Sequence, residues 1–84
     1  MVNQKELQHL AAEESLYYGA MAKTELAMLY APNLKPHIAR RRLMKWLKKN
    51  EALLDELTKR GYTERLQQLT TAQVRLIIAY LGEP

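Results

Sequence analysis

The sequence predicts an all-α fold, a single domain of four to five helices with a helix-turn-helix-like core. Three observations carry this expectation. Strong helix formers dominate the 84 residues, whereas strand formers are sparse, with two Val, three Ile and no Phe. Apolar residues recur at three- and four-residue spacing between recognisable start and stop signals. The chain is also short enough to form one domain, 1–84, with a modest core.

The elements follow in order. Residues 3–18 read as an N-terminal helix, with Asn3 as cap, Glu6 three positions on, and Leu7, Leu10, Ala11, Tyr17 and Tyr18 as a rough apolar stripe. Gly19 is its stop, and its two tyrosines suit either core or partner surface. Thr24 is the expected cap of a short second helix carrying Leu26, Leu29 and Tyr30, with Glu25 in its first turn. Pro32 ends it, because the residue before proline avoids helical angles. After the connector "APNLKP", Pro36 occupies a natural first helical position. The helix it opens runs through Trp46 and Leu47 to Asn50, which either breaks it or caps the next. Glu51 to Lys59 continues in helical period with Leu53, Leu54 and Leu57, and Gly61 is its stop. Residues 62–69 fit either one helical turn or a short extended link. "TTAQ" is a capping box, with Thr70 as cap and Gln73 reaching back. It opens a last helix, Ala72 to Leu81, with Val74, Ile77, Ile78 and Leu81 at core spacing and Gly82 after it. This helix should cross the one containing Leu43 and Trp46. Its additional apolar residues, Leu76 and Tyr80, make it either a central core helix or part of a dimer interface.

Charge is distributed unevenly. Lys35, Arg40, Arg41, Arg42, Lys45, Lys48 and Lys49 fall within fifteen residues that hold no carboxylate, while the rest of the chain has six basic residues against nine acidic. One basic segment on a mildly acidic body points to one binding face rather than general adhesiveness. Stepping about 100° per residue places Ala39, Leu43, Trp46 and Leu47 together on one side of a helix. Trp46 therefore reads as core. His37, Arg41, Arg42, Lys45, Lys48 and Lys49 fall on the other side. Arg41, Lys45 and Lys49 are like charges at four-residue spacing, which costs a few tenths of a kcal/mol per pair. Phosphates would offset that cost by releasing counterions. Acids on neighbouring elements, such as Glu51, Asp55 and Glu56, are the plainer alternative.

The stretch "TELAMLYAPNLKPHIARRRLMKWL" has the order of a helix-turn-helix: a short helix, a turn, then a longer basic helix for the major groove. The expected nucleic-acid contacts are His37, Arg40, Arg41, Lys45, Lys48 and Lys49. The first three would approach bases, and the lysines would lie along backbone phosphates. The expected function is thus regulatory DNA binding with duplex DNA as partner. The alternative is a protein-interaction or homodimerisation module that docks an acidic protein or a second copy. No enzyme is expected. There is no cysteine, only two histidines far apart in sequence, and no carboxylate beside His37 to orient it for base catalysis. No cofactor or metal is called for. The longest apolar run, Leu76 to Leu81, is too short for a bilayer, and the N-terminus lacks a signal-peptide pattern, so a cytoplasmic location is expected.

The motifs "TELAMLY-P", "A-R-L-W", "L-L-GY" and "T-QV-LI-YLGEP" resemble a family of small bacterial proteins of unknown function, the domain of unknown function numbered 4248. The resemblance covers residues 23–84 and is carried by positions such as Leu26, Tyr30, Pro32, Leu43, Trp46, Gly61, Tyr62, Gln73, Val74 and the closing Gly82, Glu83 and Pro84. Residues 1–22 depart from the pattern. The resemblance implies a compact helical domain in the style of helix-turn-helix or excisionase-like modules, and it implies no activity or site residue.

Overall fold

A computed structural model describes residues 18–84 of the chain. Its elements run in the order β1 (Met21–Ala22), α1 (Lys23–Tyr30), α2 (Pro36–Lys49), α3 (Glu51–Lys59), β2 (Gln68–Leu69) and α4 (Thr71–Leu81). The fold is mostly helical, with one addition that sequence periodicity does not reveal. The two short strands pair antiparallel, Met21 opposite Leu69 and Ala22 opposite Gln68. The N-terminal helix expected over residues 3–18 lies outside the described residues except for Tyr18, which sits in a bend.

Helix α1 begins one residue earlier than its expected cap. The chain enters it from extended Ala22, and no side chain caps it, so Thr24 lies inside the helix. The strand pair explains why no cap is needed at this end. The Lys23 amide donates to the Gln67 carbonyl at 2.7 Å, which satisfies one of the N–H groups a helix start leaves open. Ala31 closes the helix with its amide on the Ala27 carbonyl at 2.9 Å, directly before Pro32.

Pro36 takes the first position of α2 as expected. Ala39, Leu43 and Leu47 recur every fourth residue and are buried. Asn50 does both jobs open to it. Its amide closes α2 on the Trp46 carbonyl at 3.2 Å, and its side-chain oxygen accepts from the Leu53 amide at 3.1 Å to cap α3. Helix α3 buries Leu53 and Leu57. The chain then turns at Gly61, whose φ of +84° favours glycine. Residues 62–69 form a link with a turn at 64–65 and end in β2, so the expectation of a helical turn gives way to the extended alternative.

The Thr70–Gln73 capping box forms as read. Thr70 Oγ1 accepts from the Gln73 amide at 3.2 Å, and the Gln73 side chain accepts from the Thr70 amide at 2.9 Å. Gln73 is buried, and its amide nitrogen also donates to the Arg60 carbonyl at 2.9 Å, fixing α4 to the end of α3. Val74, Ile77 and Ile78 complete a core with Leu26, Leu43, Leu47, Leu53, Leu57 and Leu69.

One aromatic assignment needs correction. Trp46 was expected in the core but is 37% exposed. Its ring meets Tyr30 edge-on at 5.9 Å, and its free part borders an open groove of about 460 Å³ with Lys49, Asn50, Glu51 and Leu81. The indole sits at the margin of the apolar face, where a wide ring overhangs the edge of a small core. Tyr80 is exposed on α4, at the edge of its buried stripe. By contrast, Tyr62 is buried and Tyr30 half-buried, with the Tyr30 hydroxyl donating to the Gly82 carbonyl. No helix among the described residues is long and apolar enough to cross a membrane.

Candidate nucleic-acid interface

Helix α2 presents its basic residues as the sequence implies, with two exceptions. His37, Arg41, Arg42, Lys45, Lys48 and Lys49 are all exposed. Arg40 departs from this set. It is half-buried, with its charge felt at Lys23 and Tyr62, and its Nε is buried without a hydrogen-bond partner among the described residues. The second exception is Lys48, which pairs with Glu64 at 2.6 Å. Among the described residues, His37, Arg41, Arg42, Lys45 and Lys49 form no ion pair.

Two acids of α3 are committed elsewhere. Asp55 and Glu56 approach Lys59 at 3.7 and 3.4 Å, and Glu56 takes Arg60 at 2.9 Å. These are contacts within one turn of the same helix and its cap. Hydrogen bonds from Arg60 and Lys59 hold the Glu56 carboxyl below its ordinary range. The plainer alternative for the basic face, neutralisation by acids of neighbouring elements, is thus met at Lys48 by Glu64, while Asp55 and Glu56 turn to Lys59 and Arg60. The acid that does reach α2, Glu64, lies in the stretch whose conformation sequence left open. The Lys48 hydrogen bond keeps its carboxyl low as well.

The start of α2 adds to the positive field. Lys35 is the N-cap and offers no side-chain acceptor, and the first turn holds no acid. The Ile38 and Ala39 amides turn back to the Lys35 carbonyl at 3.0 and 2.9 Å. The positive end of the helix dipole is thus left beside His37, Arg40 and Arg41, where it would favour an anion.

Sequence reading missed Lys23. It is fully buried at the start of α1, an uncommon place for a lysine. Its Nζ donates to the Glu64 carbonyl at 3.1 Å and lies 4.7 Å from the centre of the Tyr62 ring, a cation–π contact. Burial lowers its pKa, and Arg40 lowers it further against the opposing pull of Glu64. Tyr62, in turn, is raised by burial and by Glu64. Nothing in the motif "KTELA" distinguishes this lysine from a solvated one. Its burial depends on the 62–67 link folding over it. Among the described residues, no three His, Cys, Asp or Glu side chains lie close enough together to hold a metal ion.

Fold and surface together define a small, mostly helical domain with one cationic helix face. The chain belongs to the family described as Domain of unknown function (DUF4248), whose model matches residues 17–84. The match begins ahead of the motifs noted above and takes in β1, which the sequence reading had placed outside the pattern. No curated protein and no solved structure matches the chain.

Proposed function

We propose that this domain binds duplex DNA as a helix-turn-helix-like regulatory module, with α1 and the turn after it supporting α2 in the major groove. The observation that carries this reading is the exposed face of α2, on which Arg41, Arg42, Lys45 and Lys49 form no ion pair among the described residues. Like charges at four-residue spacing cost the helix a few tenths of a kcal/mol per pair, and phosphates would reverse the sign. The uncapped start of α2 supports the same reading, since a phosphate would complete it. His37 and Arg41 are the residues for base edges. Lys45, Lys48 and Lys49 suit the flanking phosphates. Lys48, whose ammonium has three donors, can keep the Glu64 carboxylate and take a phosphate as well.

The test is binding of the purified chain to duplex DNA across a salt series. Affinity should fall with a log–log slope of about −4 to −6, near −0.9 per phosphate contact. Replacing Arg41, Lys45 and Lys48 together by Glu should abolish binding while the helical circular dichroism stays unchanged. Absence of any affinity for duplex DNA at low salt overturns the reading.

A second reading, an interaction or homodimerisation module, has its own observation in the exposed Leu29, Ile38, Trp46 and Tyr80. Sedimentation separates the two. A tight dimer that shields α2 from solvent favours association between copies over DNA.

A further inference from the structure

The basic residues of the described chain outside α2 and its cap are Lys23, Lys59, Arg60, Arg65 and Arg75. Lys23 is buried, and Lys59 and Arg60 are paired on α3. Arg65 and Arg75 are exposed and form no ion pair or side-chain hydrogen bond among the described residues. Arg75 stands on the outer side of α4. Arg65 stands in the turn at 64–65, next to the residue that reaches α2.

That turn is held at several points. The Glu64 carboxylate lies 2.6 Å from Lys48, and the Glu64 carbonyl accepts from the buried Lys23 at 3.1 Å. The Leu66 amide donates to the Thr63 carbonyl at 3.1 Å, and the Gln67 carbonyl accepts from the Lys23 amide at 2.7 Å. Buried Tyr62 anchors one end of the segment, and Leu69, in the strand pair, anchors the other. Glu64 is thus fixed to two separate helices, through Lys48 and Lys23. The arrangement sets Arg65 one residue from a point fixed on the basic face of α2, with half-buried Arg40 on the adjoining flank of that helix. Among the described residues neither arginine has a carboxylate partner, and Glu64, next to Arg65 in sequence, is engaged with Lys48. The buried, unpartnered Nε of Arg40 adds a second unanswered donor at this junction.

We propose that the turn over residues 63–67 is a second nucleic-acid contact, in which Arg65 takes a backbone phosphate flanking the segment read by α2. Glu64 is its positioning residue. This inference rests on the DNA-binding reading of α2. A turn already fixed before binding loses little freedom when a phosphate meets it, which is the condition for an effective backbone contact outside the recognition helix. The ligand chemistry is that of a phosphodiester backbone, which Arg can engage through two N–H groups at once.

The experiment uses the full chain and three variants in the same salt series: Arg65→Gln, Arg75→Gln, and the α2 triple reversal. Arg65→Gln should weaken binding several-fold at moderate salt and reduce the magnitude of the slope by about 0.9, the loss of one phosphate. Arg75→Gln makes the same change in net charge on α4 and should leave the slope unchanged. If the two single variants shift binding equally, Arg65 acts only through net charge and the proposal fails. It also fails if Arg65→Gln binds as the wild type does. In both cases binding by α2 stands so long as the triple reversal abolishes it. Failure of the DNA-binding reading is a different result, because the wild-type chain then shows no affinity for duplex DNA at any salt. Positioning by Glu64 is tested in a Glu64→Ala background. There the effect of Arg65→Gln should shrink, whereas equal effects in both backgrounds would show that Glu64 does not place Arg65.

Discussion

Helices α2 and α4 begin in opposite ways. Helix α4 opens with a reciprocal capping box, Thr70 with Gln73, and Gln73 also fastens it to the end of α3. Helix α2 opens on Lys35 with no side-chain cap, no acid in its first turn and several cations close by. One helix is completed by its own sequence, and its buried face serves the core. The other holds its core with Ala39, Leu43 and Leu47 and leaves its positive end and outer face exposed among the described residues. On the proposed DNA-binding reading, stability and recognition fall to different helices, and substitutions can separate them.

The largest expected effect is on the α4 side. Ile77→Ala opens a cavity in a small core and should cost about 2–5 kcal/mol, a large part of the stability of a domain this size. Urea unfolding should show the midpoint move steeply. The triple reversal on α2 should instead move the midpoint little, because those residues are exposed. If it unfolds the domain, the division between the helices is wrong. Next in size, Thr70→Ala removes the capping box and should cost about 1 kcal/mol by the same measurement. Lys35→Asp makes the opposite change by giving α2 the cap it lacks. It should stabilise the domain by about 0.5–1 kcal/mol and weaken binding to duplex DNA. A variant that gains neither stability nor loses affinity would mean that the open start of α2 has no bearing on anions. The smallest effect is confined to alkaline pH. Burial, helped by Glu83 and Tyr18, pushes the Tyr30 phenol up to about 12 from 10.0. A raised phenol binds its proton more tightly in the folded state, so its contribution is intact below pH 10.0 and is lost as pH rises toward 12. Lys23 works in the reverse sense. Its lowered pKa makes folding costly while it is charged, and that cost eases as pH climbs toward 10.5. Tyr30→Phe isolates the first contribution and should flatten the fall in melting temperature above pH 10.0.

Local chemistry was legible in the sequence, and contacts between distant segments were not. The capping box at Thr70, the proline start at Pro36 and the span Glu51–Lys59 each depend on residues within a few positions of one another, and each formed as read. Thr24 was misread as a cap because the acceptor that completes α1, the Gln67 carbonyl, comes from far along the chain. The burial of Lys23 and the pairing of Lys48 with Glu64 were hidden for the same reason, since both depend on the path of residues 62–67. The cationic face of α2 was visible from periodicity alone. What periodicity could not give was the fate of Asp55 and Glu56, which turned to Lys59 and Arg60 instead. Arg40 was read as a base contact, although it sits at the boundary of the apolar face, where a shift of part of a turn decides burial.

The two-residue strand pair has a kinetic consequence. Contacts within and between α1, α2 and α3 join neighbouring segments, whereas pairing Met21 with Leu69 requires a much longer loop to close. So small a ladder cannot form ahead of the helices that bring its halves together. It should therefore belong to the last part of the chain to assemble. By the same logic it should be among the first to open in native-state hydrogen exchange, with the Lys23 amide reporting the event. Because the 63–67 turn is suspended from this ladder and from Lys23, the surface beside α2 would be finished only at the end of folding and be the first lost to partial opening.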